Sequence, residues 1–452
     1  MIDLKDLRDN PNKYRDGQIA KNYDPTLVDR LLEYDESLRS AMHQREQLVA
    51  EKNKIGKEIG PLMGRMKKAS DAEKAELESQ VAALKQKSEQ LKADEQQHID
   101  TIAKLEPLRD ALWLEVAQPP DPDVPRGQSA DDNVEISRWN PDDFDTAKSF
   151  EDNRGFAPKS HIDLMTALGM VDFERGVKIA GSRSYILTGA GMQLHNAILR
   201  FAFDFMTMEN GFTAASVPVL VRDSMMEGTG FFPHGKDQAY EIANPTGEGY
   251  NLYLTGTGEV GLMGLHADEI VDADKLPLCY TTVSTCFRRE AGSAGKDTAG
   301  LYRIHQFDKV EQVVICKADE AESRAWHKKM IGFVESMLQK LGLPYRLLQC
   351  CTGDLGPKNA DMIDLECWMP SREGYGETHS ASRLYDYQTR RLNIRYKDPE
   401  TKKNTIAHSL NNTVAASPRI LIPIIEMYQN ADGSITVPPA LRPYMGNIEK
   451  IG

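Results

Sequence analysis

The sequence predicts an α+β protein in which an amino-terminal antiparallel α-helical coiled-coil hairpin precedes an antiparallel sheet flanked by helices. Three observations predict this fold class. Apolar heptads run through residues 25–105, a segment rich in proline and aspartate follows at 118–133, and helical segments then alternate with short β-rich runs. We therefore expect an arm over residues 1–117, a linker over 118–135 and a globular domain over 136–452.

The first long helix of the hairpin is predicted over residues 25–60. Gly60, Pro61 and Gly64 predict its end. Arg45 and Lys52 interrupt one of its two apolar rows. The apolar residues at seven-residue spacing are Leu27, Tyr34, Ala41, Leu48 and Ile55, with Leu31, Leu38 and Ile59 on the second row.

The second long helix is predicted over residues 70–105. His98 interrupts its main apolar row. Because the connection between the two helices is short, we expect them to fold back on each other as an antiparallel pair. The apolar residues of the second helix are Leu77, Leu84, Leu91 and Leu105, with Val81 and Ile102 on the other row.

Positive charge is concentrated at the far end of this hairpin, although the chain carries a net charge of -13. Only Glu58 opposes the cluster. A local cationic cluster favours contact with a phosphate backbone. Two alternatives stay open: a solvated run of charge, and a coiled coil that serves only to oligomerise the chain. The cluster consists of Lys52, Lys54, Lys57, Arg65, Lys67 and Lys68.

The composition is that of a globular protein, with 40% hydrophobic and 27% charged residues among 452. No apolar run reaches the ~18 residues of a membrane span, and the charged amino terminus does not resemble a secretory signal. All six cysteines lie between Cys279 and Cys367 without CxxC spacing, so we expect reduced structural thiols. These features predict a cytoplasmic protein.

The globular part combines helical and β-rich segments. Helices are predicted at 190–209 and 319–341, and β-rich runs at 280–290, 302–317, 390–396 and 419–429. Neighbouring strands with hairpin-type loops favour an antiparallel sheet. Neither GxGxxG after a strand nor GxxxxGK[ST] occurs, so the sequence lacks the usual nucleotide sites of parallel sheets.

The densest polar stretch covers residues 286–311. Arg288 and Glu290 fall on the same side of a strand, and the Arg288 guanidinium suits a phosphate or a carboxylate. Phe307 offers a ring on which a base can stack. An alternative is that Arg288 and Glu290 form only a surface ladder pair.

This stretch, CFRREAGSAGKDTAGLYRIHQFDKVE, closely resembles motif 2 of seryl-tRNA synthetases. The segment GSRSYILTGAGMQLHNAILRFAFDFMTMENGFTAASVPVLV resembles the motif 1 region of that family, and LTGTGEV resembles its TxE element. YGETHSAS…DYQTRRLNIRY resembles the metal and ATP segment, and SLNNTVAASPRILIPIIEMYQ…VPPALRPYM resembles motif 3 and the usual end. The hairpin resembles the tRNA-binding arm, so the resemblance covers essentially the whole chain.

The resemblance implies a class II synthetase fold that works as a homodimer. It also implies ATP-dependent activation of L-serine to seryl-adenylate, with Mg²⁺, and transfer of serine to tRNA(Ser). Selenocysteine tRNA is a second acceptor that the resemblance allows. The basic cluster at the tip would then belong to the tRNA-binding arm.

The site residues follow from the same resemblance. The residues implied for serine binding are Thr257, Gly258, Glu259, Arg288, Glu311, Asn411 and Thr413. The residues implied for ATP binding are Arg288, Arg289, Glu290, Ile304, Phe307, Glu377, Thr378, His379, Ser380 and Arg419. Glu377 and Ser380 are also the implied Mg²⁺ ligands, as hard oxygen donors.

Several positions depart from the usual family pattern. The departures are Gly258 for alanine, Arg289 for serine, Ala381 for cysteine, Arg383 for asparagine, Thr413 for serine and Pro418 for glycine. One interpretation is variation around a working site. The other is a paralogue with an altered substrate or a role in inhibitor resistance, because an added methyl group can change pocket discrimination.

Functions of other classes predict different features. An amino acid:carrier-protein ligase on the same catalytic fold would lack the arm. An inactive tRNA-binding protein would lose the motif arginines, yet Arg288 and Arg419 are both present. A plain coiled-coil scaffold would leave the globular part unexplained.

Overall fold

The computed structural model describes residues 1–243, 249–291 and 299–452. Its α-helices are α1 Leu4–Asp9, α2 Pro11–Ala20, α3 Thr26–Met66, α4 Asp71–Glu115, α5 Phe150–Arg154, α6 His161–Ala167, α7 Phe173–Ala180, α8 Gly189–Asp204, α9 Asp223–Gly228, α10 Glu259–Gly264, α11 Glu320–Lys340, α12 Tyr387–Arg391 and α13 Leu421–Met427. Within these described ranges no helix is both long and apolar enough to cross a membrane.

The strands are short outside one large sheet. They are β1 Val134–Trp139, β2 Val171–Asp172, β3 Ile186–Leu187, β4 Thr213–Ala214, β5 Leu220–Arg222, β6 Tyr240–Ile242, β7 Leu252–Leu254, β8 Ile270–Val271, β9 Leu278–Phe287, β10 Gln306–Cys316, β11 Tyr345–Gln349, β12 Asp361–Met369, β13 Gly374–Tyr385, β14 Arg395–Lys397, β15 Asn404–Ile406, β16 His408–Ser417, β17 Ile435–Thr436 and β18 Lys450–Ile451.

The chain divides into two compact units. The smaller unit comprises Leu4–Arg15 and Asp24–Val116, and the larger comprises Met1–Asp3, Asp16–Tyr23 and Ala117–Gly452. The segment predicted as a linker packs within the larger unit: the Gln118 amide donates to the Pro357 carbonyl at 2.8 Å. This segment, although rich in proline and aspartate, is therefore hydrogen-bonded to the rest of the larger unit.

The smaller unit is built on the antiparallel pair α3 and α4. Asp35 lies 3.8 Å from Arg109 and Lys52 pairs with Glu95, so partner numbers fall along α4 as they rise along α3, and the two helices run in opposite directions. At 1.5 Å per residue, the 41 residues of α3 span about 60 Å. The predicted antiparallel helical hairpin is confirmed.

The predicted end of the first helix at Gly60 is wrong. Helix α3 continues through Pro61 to Met66, and Ser70 starts α4 with a capping box to Glu73. A proline removes one helical hydrogen bond, to the carbonyl of residue 57, and Lys57 is exposed to water. Water can hydrate that carbonyl, and the helix therefore persists.

The apolar seam of the hairpin follows the predicted heptads over most of its length. Toward its base, Asp35, which belongs to neither predicted row, is also buried and accepts two hydrogen bonds from Arg8, at 3.2 and 3.0 Å. The buried apolar residues of the predicted rows are Leu27, Leu31, Leu38, Ala41, Ile55, Leu77, Val81 and Leu91.

The larger unit is organised by an eight-stranded sheet of order β1-β11-β12-β13-β16-β10-β9-β4. Every neighbouring pair is antiparallel except β4 with β9. Helices α8 and α11 pack against its central strands. Residues such as Ile198, Val334 and Val414, all inaccessible to solvent, form the core between these layers. The predicted antiparallel sheet with flanking helices is confirmed.

Two of the predicted β-rich runs are wrong. Residues 419–429 contain the helix α13, whose residues are all buried. Residues 390–396 contain the end of α12, a turn and the start of β14. In α13 the isoleucines pack into the core from several sides, and tertiary packing therefore overrides the β propensity of branched side chains.

The cysteines are free thiols, as expected. Five of the six are buried, and Cys279 is half-buried. Burial raises the pKa of Cys279 to about 11 and that of Cys367 to about 12. These thiols are therefore protonated and unreactive near neutral pH.

Candidate active site

Four adjacent strands bring distant parts of the sequence together. In the order β13-β16-β10-β9, Glu311 of β10 lies opposite Thr413 of β16 and Thr282 of β9. A register shift between Val310 and Glu311 interrupts the β10–β16 ladder at this point. Such an irregularity reorients side chains and is common beside functional sites.

A cleft lies over these strands. Its walls are polar and carry two arginines, a lysine and two glutamates. Nine of the residues implied by the sequence line it: Arg288, Glu290, Ile304, Phe307, Glu377, Thr378, Ser380, Thr413 and Arg419. The remaining lining residues are Leu301, Tyr302, Lys309 and Ala416.

One end of the cleft combines a cation with an aromatic ring. The Arg288 guanidinium lies 5.4 Å from the centre of the Phe307 ring, and its Nε donates to the Gly256 carbonyl at 3.4 Å. Glu290 lies 3.4 Å from the Arg303 guanidinium. A flat ring beside a guanidinium and a carboxylate suits a heterocyclic base with phosphates attached.

The opposite wall is formed by Arg419 at the end of β16. Its guanidinium lies 4.6 Å from the centre of the Tyr302 ring, donates to the Tyr302 carbonyl at 3.1 Å and is 3.6 Å from the Glu377 carboxylate. Two arginines, each just beyond the end of a different strand, therefore line one cavity. This arrangement favours a polyanionic ligand.

Glu377 and Ser380 provide the oxygen donors expected of a Mg²⁺ site. Both line the cleft, and the Glu377 side chain is 45% exposed, so its carboxylate is accessible to an ion. A carboxylate and a hydroxyl fit the preference of Mg²⁺ for hard oxygen ligands completed by phosphates and water. Among the described residues, the side chains of Cys350, Asp354 and Asp364 also converge; Asp364 lies on β12, and the other two lie in the segment that follows β11.

A second, deeper subsite is built on two buried carboxylates. Glu311 and Glu259 are 0% and 2% exposed. Lys309 forms an ion pair with Glu311 and donates to Thr257 Oγ1 at 2.8 Å. The Asn411 amide donates to Glu259 at 3.0 Å and lies 3.4 Å from Glu311. Two carboxylates with a bridging amide can bind a small cationic group.

Sequence reasoning missed two contributors to this subsite. The Lys358 ammonium and the Gln388 amide both donate to Oε1 of Glu259, at 2.7 and 2.6 Å. Lys358 lies in a coil segment between β11 and β12, and Gln388 lies in the short helix α12. Neither segment carries a spacing that points to chemistry, so only the tertiary structure identifies them.

Gly258 shows how one departure from the usual pattern is accommodated. A Cβ atom at this position would overlap Cγ2 of Thr282 and lie 2.9 Å from Ser284 Oγ. The branched Thr282 side chain therefore fills the space of the alanine methyl group that is usual in the family pattern.

Two of the residues implied for ATP binding lie outside the lining of the cleft. Arg289 is exposed and lines a separate cavity with Lys236 and Tyr240. His379 is buried, and desolvation lowers its pKa to about 3. Arg289 lies beyond the end of β9, and His379 lies on β13 directly after a register shift in the pairing of that strand with β12.

Other implied positions serve packing or cannot be described. Ala381 is fully buried, and its carbonyl accepts a hydrogen bond from His327 at 3.0 Å. Arg383 is fully buried and pairs with Asp121 and Asp361. Pro418 directly precedes Arg419. Residues 292–298 of the motif 2 stretch lie outside the described residues.

The basic cluster at the end of the hairpin is largely exposed. Lys52 is the exception, because it forms an ion pair with Glu95 of α4. The exposed members of the cluster are Lys54, Lys57, Arg65, Lys67 and Lys68.

Two family models match this chain. The seryl-tRNA synthetase N-terminal domain matches residues 1–105, and the class II core domain of tRNA synthetases (G, H, P, S and T) matches residues 240–428. A serine–tRNA ligase from Deinococcus radiodurans is 41% identical over 452 residues, covering 100% of this chain and 99% of its own length. The chain belongs to the seryl-tRNA synthetase family.

Solved structures of this family agree with that assignment. The seryl-tRNA synthetase from Pyrococcus horikoshii, complexed with ATP, aligns with a TM-score of 0.84 at 35% identity and covers 100% of this chain and 99% of its own. The cytoplasmic enzyme from Naegleria fowleri, complexed with AMP, aligns with a TM-score of 0.81 at 29% identity over 98% of this chain and 95% of its own. The chain thus has the class II synthetase fold and is a ligase.

Proposed function

We propose that the protein activates L-serine with ATP to seryl-adenylate and transfers the seryl group to tRNA(Ser). The observation that carries this proposal is the junction of two subsites. A cleft with Arg288 and Arg419 on its walls borders the buried acid pair Glu259 and Glu311. An amino acid bound by its ammonium at the acid pair would direct its carboxylate to the arginines.

In the proposed first step, the serine carboxylate oxygen attacks the α-phosphorus of ATP, and the bond to the pyrophosphate oxygen breaks. The carboxylate is already ionised near pH 7, so no general base is needed. Arg288 and Arg419 would neutralise charge on the carboxylate and the phosphates, and Phe307 would hold the adenine by stacking. Positioning and charge neutralisation provide the rate enhancement.

We infer that Glu377 and Ser380 hold Mg²⁺ when ATP is bound. The ion would supply charge neutralisation at the phosphates. Glu377 lies beside Arg419, so a bound cation would also release that guanidinium toward the phosphates.

In the proposed second step, a hydroxyl of the terminal adenosine of tRNA attacks the carbonyl carbon of the adenylate, and AMP leaves. The hairpin and its basic tip would bind the tRNA. The enzyme would work as a homodimer in the cytoplasm. A selenocysteine tRNA would be a further acceptor if it shares the features that the arm contacts.

The first experiment is amino-acid-dependent ATP–pyrophosphate exchange with serine, threonine, alanine and glycine in parallel. We expect exchange with serine alone. Better exchange with another amino acid would instead support a paralogue with an altered pocket. Transfer of activated serine to a carrier protein, and not to tRNA, would support the carrier-protein ligase.

Charge reversal tests the role proposed for the tip of the arm. Changing Lys54, Lys57, Lys67 and Lys68 to glutamate should weaken tRNA charging, with a smaller salt dependence, and leave exchange unchanged. Reversal of the exposed Lys328 and Lys397, which lie in the larger unit, provides the matched control. Equal loss of charging and exchange in the tip variant would contradict the assignment.

A further inference from the structure

The acid pair of the deeper subsite carries two lysines in the structure. Lys309 lies on β10 and pairs with Glu311 on the same strand. Lys358 comes from the segment between β11 and β12 and pairs with Glu259 at 2.7 Å, with its side chain only 13% exposed. The second lysine therefore occupies the carboxylate to which the proposed function assigns the substrate ammonium.

The polar contacts of Glu259 show which of its hydrogen-bond donors can move away from the carboxylate. Oε1 accepts from Lys358 and Gln388, and Oε2 accepts from Asn411 at 3.0 Å. Gln388 is 0% exposed, donates also to the Thr229 carbonyl and accepts from Ser409, so it is fixed at both ends. Asn411 lies between both carboxylates on β16. Lys358 is thus the one of these three donors on a long, flexible side chain.

The backbone that carries Lys358 is itself well anchored. The Asn359 side-chain amide donates to Ser382 Oγ at 2.8 Å, and the Ala360 backbone amide donates to the Arg383 carbonyl at 2.9 Å. The Lys21 ammonium donates to the carbonyls of Gly356 and Asn359. The ammonium group of Lys358 can therefore move only by rotation of its side chain.

A second favourable position for this ammonium group is already present. The Lys358 Nζ atom lies 4.0 Å from the centre of the Phe231 ring, within the range of a cation–π contact. A small rotation would take the ammonium off the carboxylate and keep it over the ring. The energetic cost of leaving Glu259 is reduced accordingly.

We propose that Lys358 is a positioning residue that occupies Glu259 in the empty pocket and is displaced by the ammonium of the amino-acid substrate. It keeps the buried carboxylate compensated before binding, because an uncompensated buried charge is costly. Part of the binding energy of the substrate is then spent on breaking the lysine contact. This inference rests on the proposed function, which places the substrate ammonium at Glu259.

The proposal predicts opposite effects on the empty and the loaded protein. In Lys358→Met the empty pocket loses its compensating cation, so the melting temperature should fall. Serine no longer has to displace a cation, so KM for serine in exchange should fall roughly tenfold, in the range of a hydrogen bond to a charged group. KM for ATP should stay unchanged, and the rise in melting temperature on adding serine should exceed that of the unmodified chain.

The control variants separate positioning from packing. Lys358→Arg retains a cation and should behave like the unmodified chain. If Lys358→Met folds poorly, Lys358→Gln replaces it, with the same expected effects on KM and melting temperature. Lys328→Met removes an exposed lysine from α11 and should change nothing. Glycerate, which lacks the amino group of serine, should inhibit the exchange equally in all variants.

The experiment is exchange kinetics with L-serine, combined with thermal shifts with and without serine. A lower KM for serine and a larger serine-induced shift in Lys358→Met would support the proposal. An unchanged or raised KM, or equal loss of melting temperature with and without serine, would overturn it. Failure of the unmodified chain to activate serine would instead overturn the proposed function, and the two failures are therefore distinguishable.

Discussion

Replacing Arg383 with asparagine, the residue usual in the family pattern, should destabilise this protein. The Arg383 side chain is 1% exposed and pairs with Asp121 and, at 3.0 Å, with Asp361. Both carboxylates are buried, and Tyr385 donates a further hydrogen bond to Asp121 at 3.0 Å. The substitution leaves two buried carboxylates without the cation between them.

The size of the effect follows from the remaining partners. Removing one member of a buried ion pair costs about 3–5 kcal/mol. Arg324 still lies 3.3 Å from Asp121, and His327 still lies 3.4 Å from Asp361. We therefore expect the lower end of that range, about 3 kcal/mol in the free energy of unfolding.

The pH dependence of the loss provides the sharper test. Burial raises the pKa of Asp361, but hydrogen bonds from His327 and Gln349 and the charge of Arg383 outweigh it and hold the pKa at about 2. This depressed pKa contributes stability that is present above the unfolded pKa, near 3.8, and is lost as the pH falls toward 2. Burial raises the pKa of Asp121 despite the same arginine.

Without Arg383 both carboxyl pKa values must rise. The variant can then relieve its unpaired charges by taking up protons, so its deficit should shrink as the pH falls from 7.5 to 4, toward the unfolded pKa near 3.8. Urea unfolding at both pH values measures the deficit. Arg383→Asn/Asp361→Asn should recover part of it, and Arg138→Asn, at a surface pair, should cost about 1 kcal/mol or less. A deficit below about 1 kcal/mol at pH 7.5, or one that does not change with pH, would refute the reasoning.

Two further substitutions test the site. Gly258→Ala should raise KM for serine and cost about 1–3 kcal/mol of stability, because the new Cβ overlaps Thr282 Cγ2 beside Glu311. The double variant Gly258→Ala/Thr282→Ser should recover both the KM, measured by exchange kinetics, and the stability, measured by urea unfolding. A single variant with unchanged KM and stability would contradict the overlap. Arg419→Gln should lower kcat for exchange about 10²–10³-fold, the size of one lost electrostatic contact to the transition state; a change in KM for serine alone would place Arg419 outside the phosphate site.

The large features of the fold are local in sequence, and for that reason they are readable there. The heptad spacing of residues such as Leu77 and Leu91 in α4 predicted a helix with one apolar face against a partner helix, and both residues are buried. The segment 302–317 contains the β-branched residues that favour a strand, and β10 lies within it. The resemblance of residues 286–311 to a family motif likewise pointed to residues that line one cleft, because motif residues keep their spacing along adjacent strands.

Predictions failed where a local preference met a stronger tertiary environment. Pro61 predicted a helix end, yet on an exposed helix a single missing hydrogen bond does not stop α3. The isoleucines of 419–429 predicted a strand, yet burial on several sides favours the helix α13. Arg289 and His379 neighbour cleft residues in sequence, yet neither lines the cleft, and only the folded chain shows this.

Periodicity and charge distribution, both properties of neighbouring residues, were enough to indicate the helical hairpin and the antiparallel sheet. The resemblance of several motifs to a known family indicated the family and most of the residues that line the cleft. Neither indicated the partners of buried charges. Lys358 reaches Glu259 across 99 residues of chain, and Arg383 reaches Asp121 across 262. Such pairs form because a charge removed from water requires a partner in space, and only the folded chain determines which residue stands there.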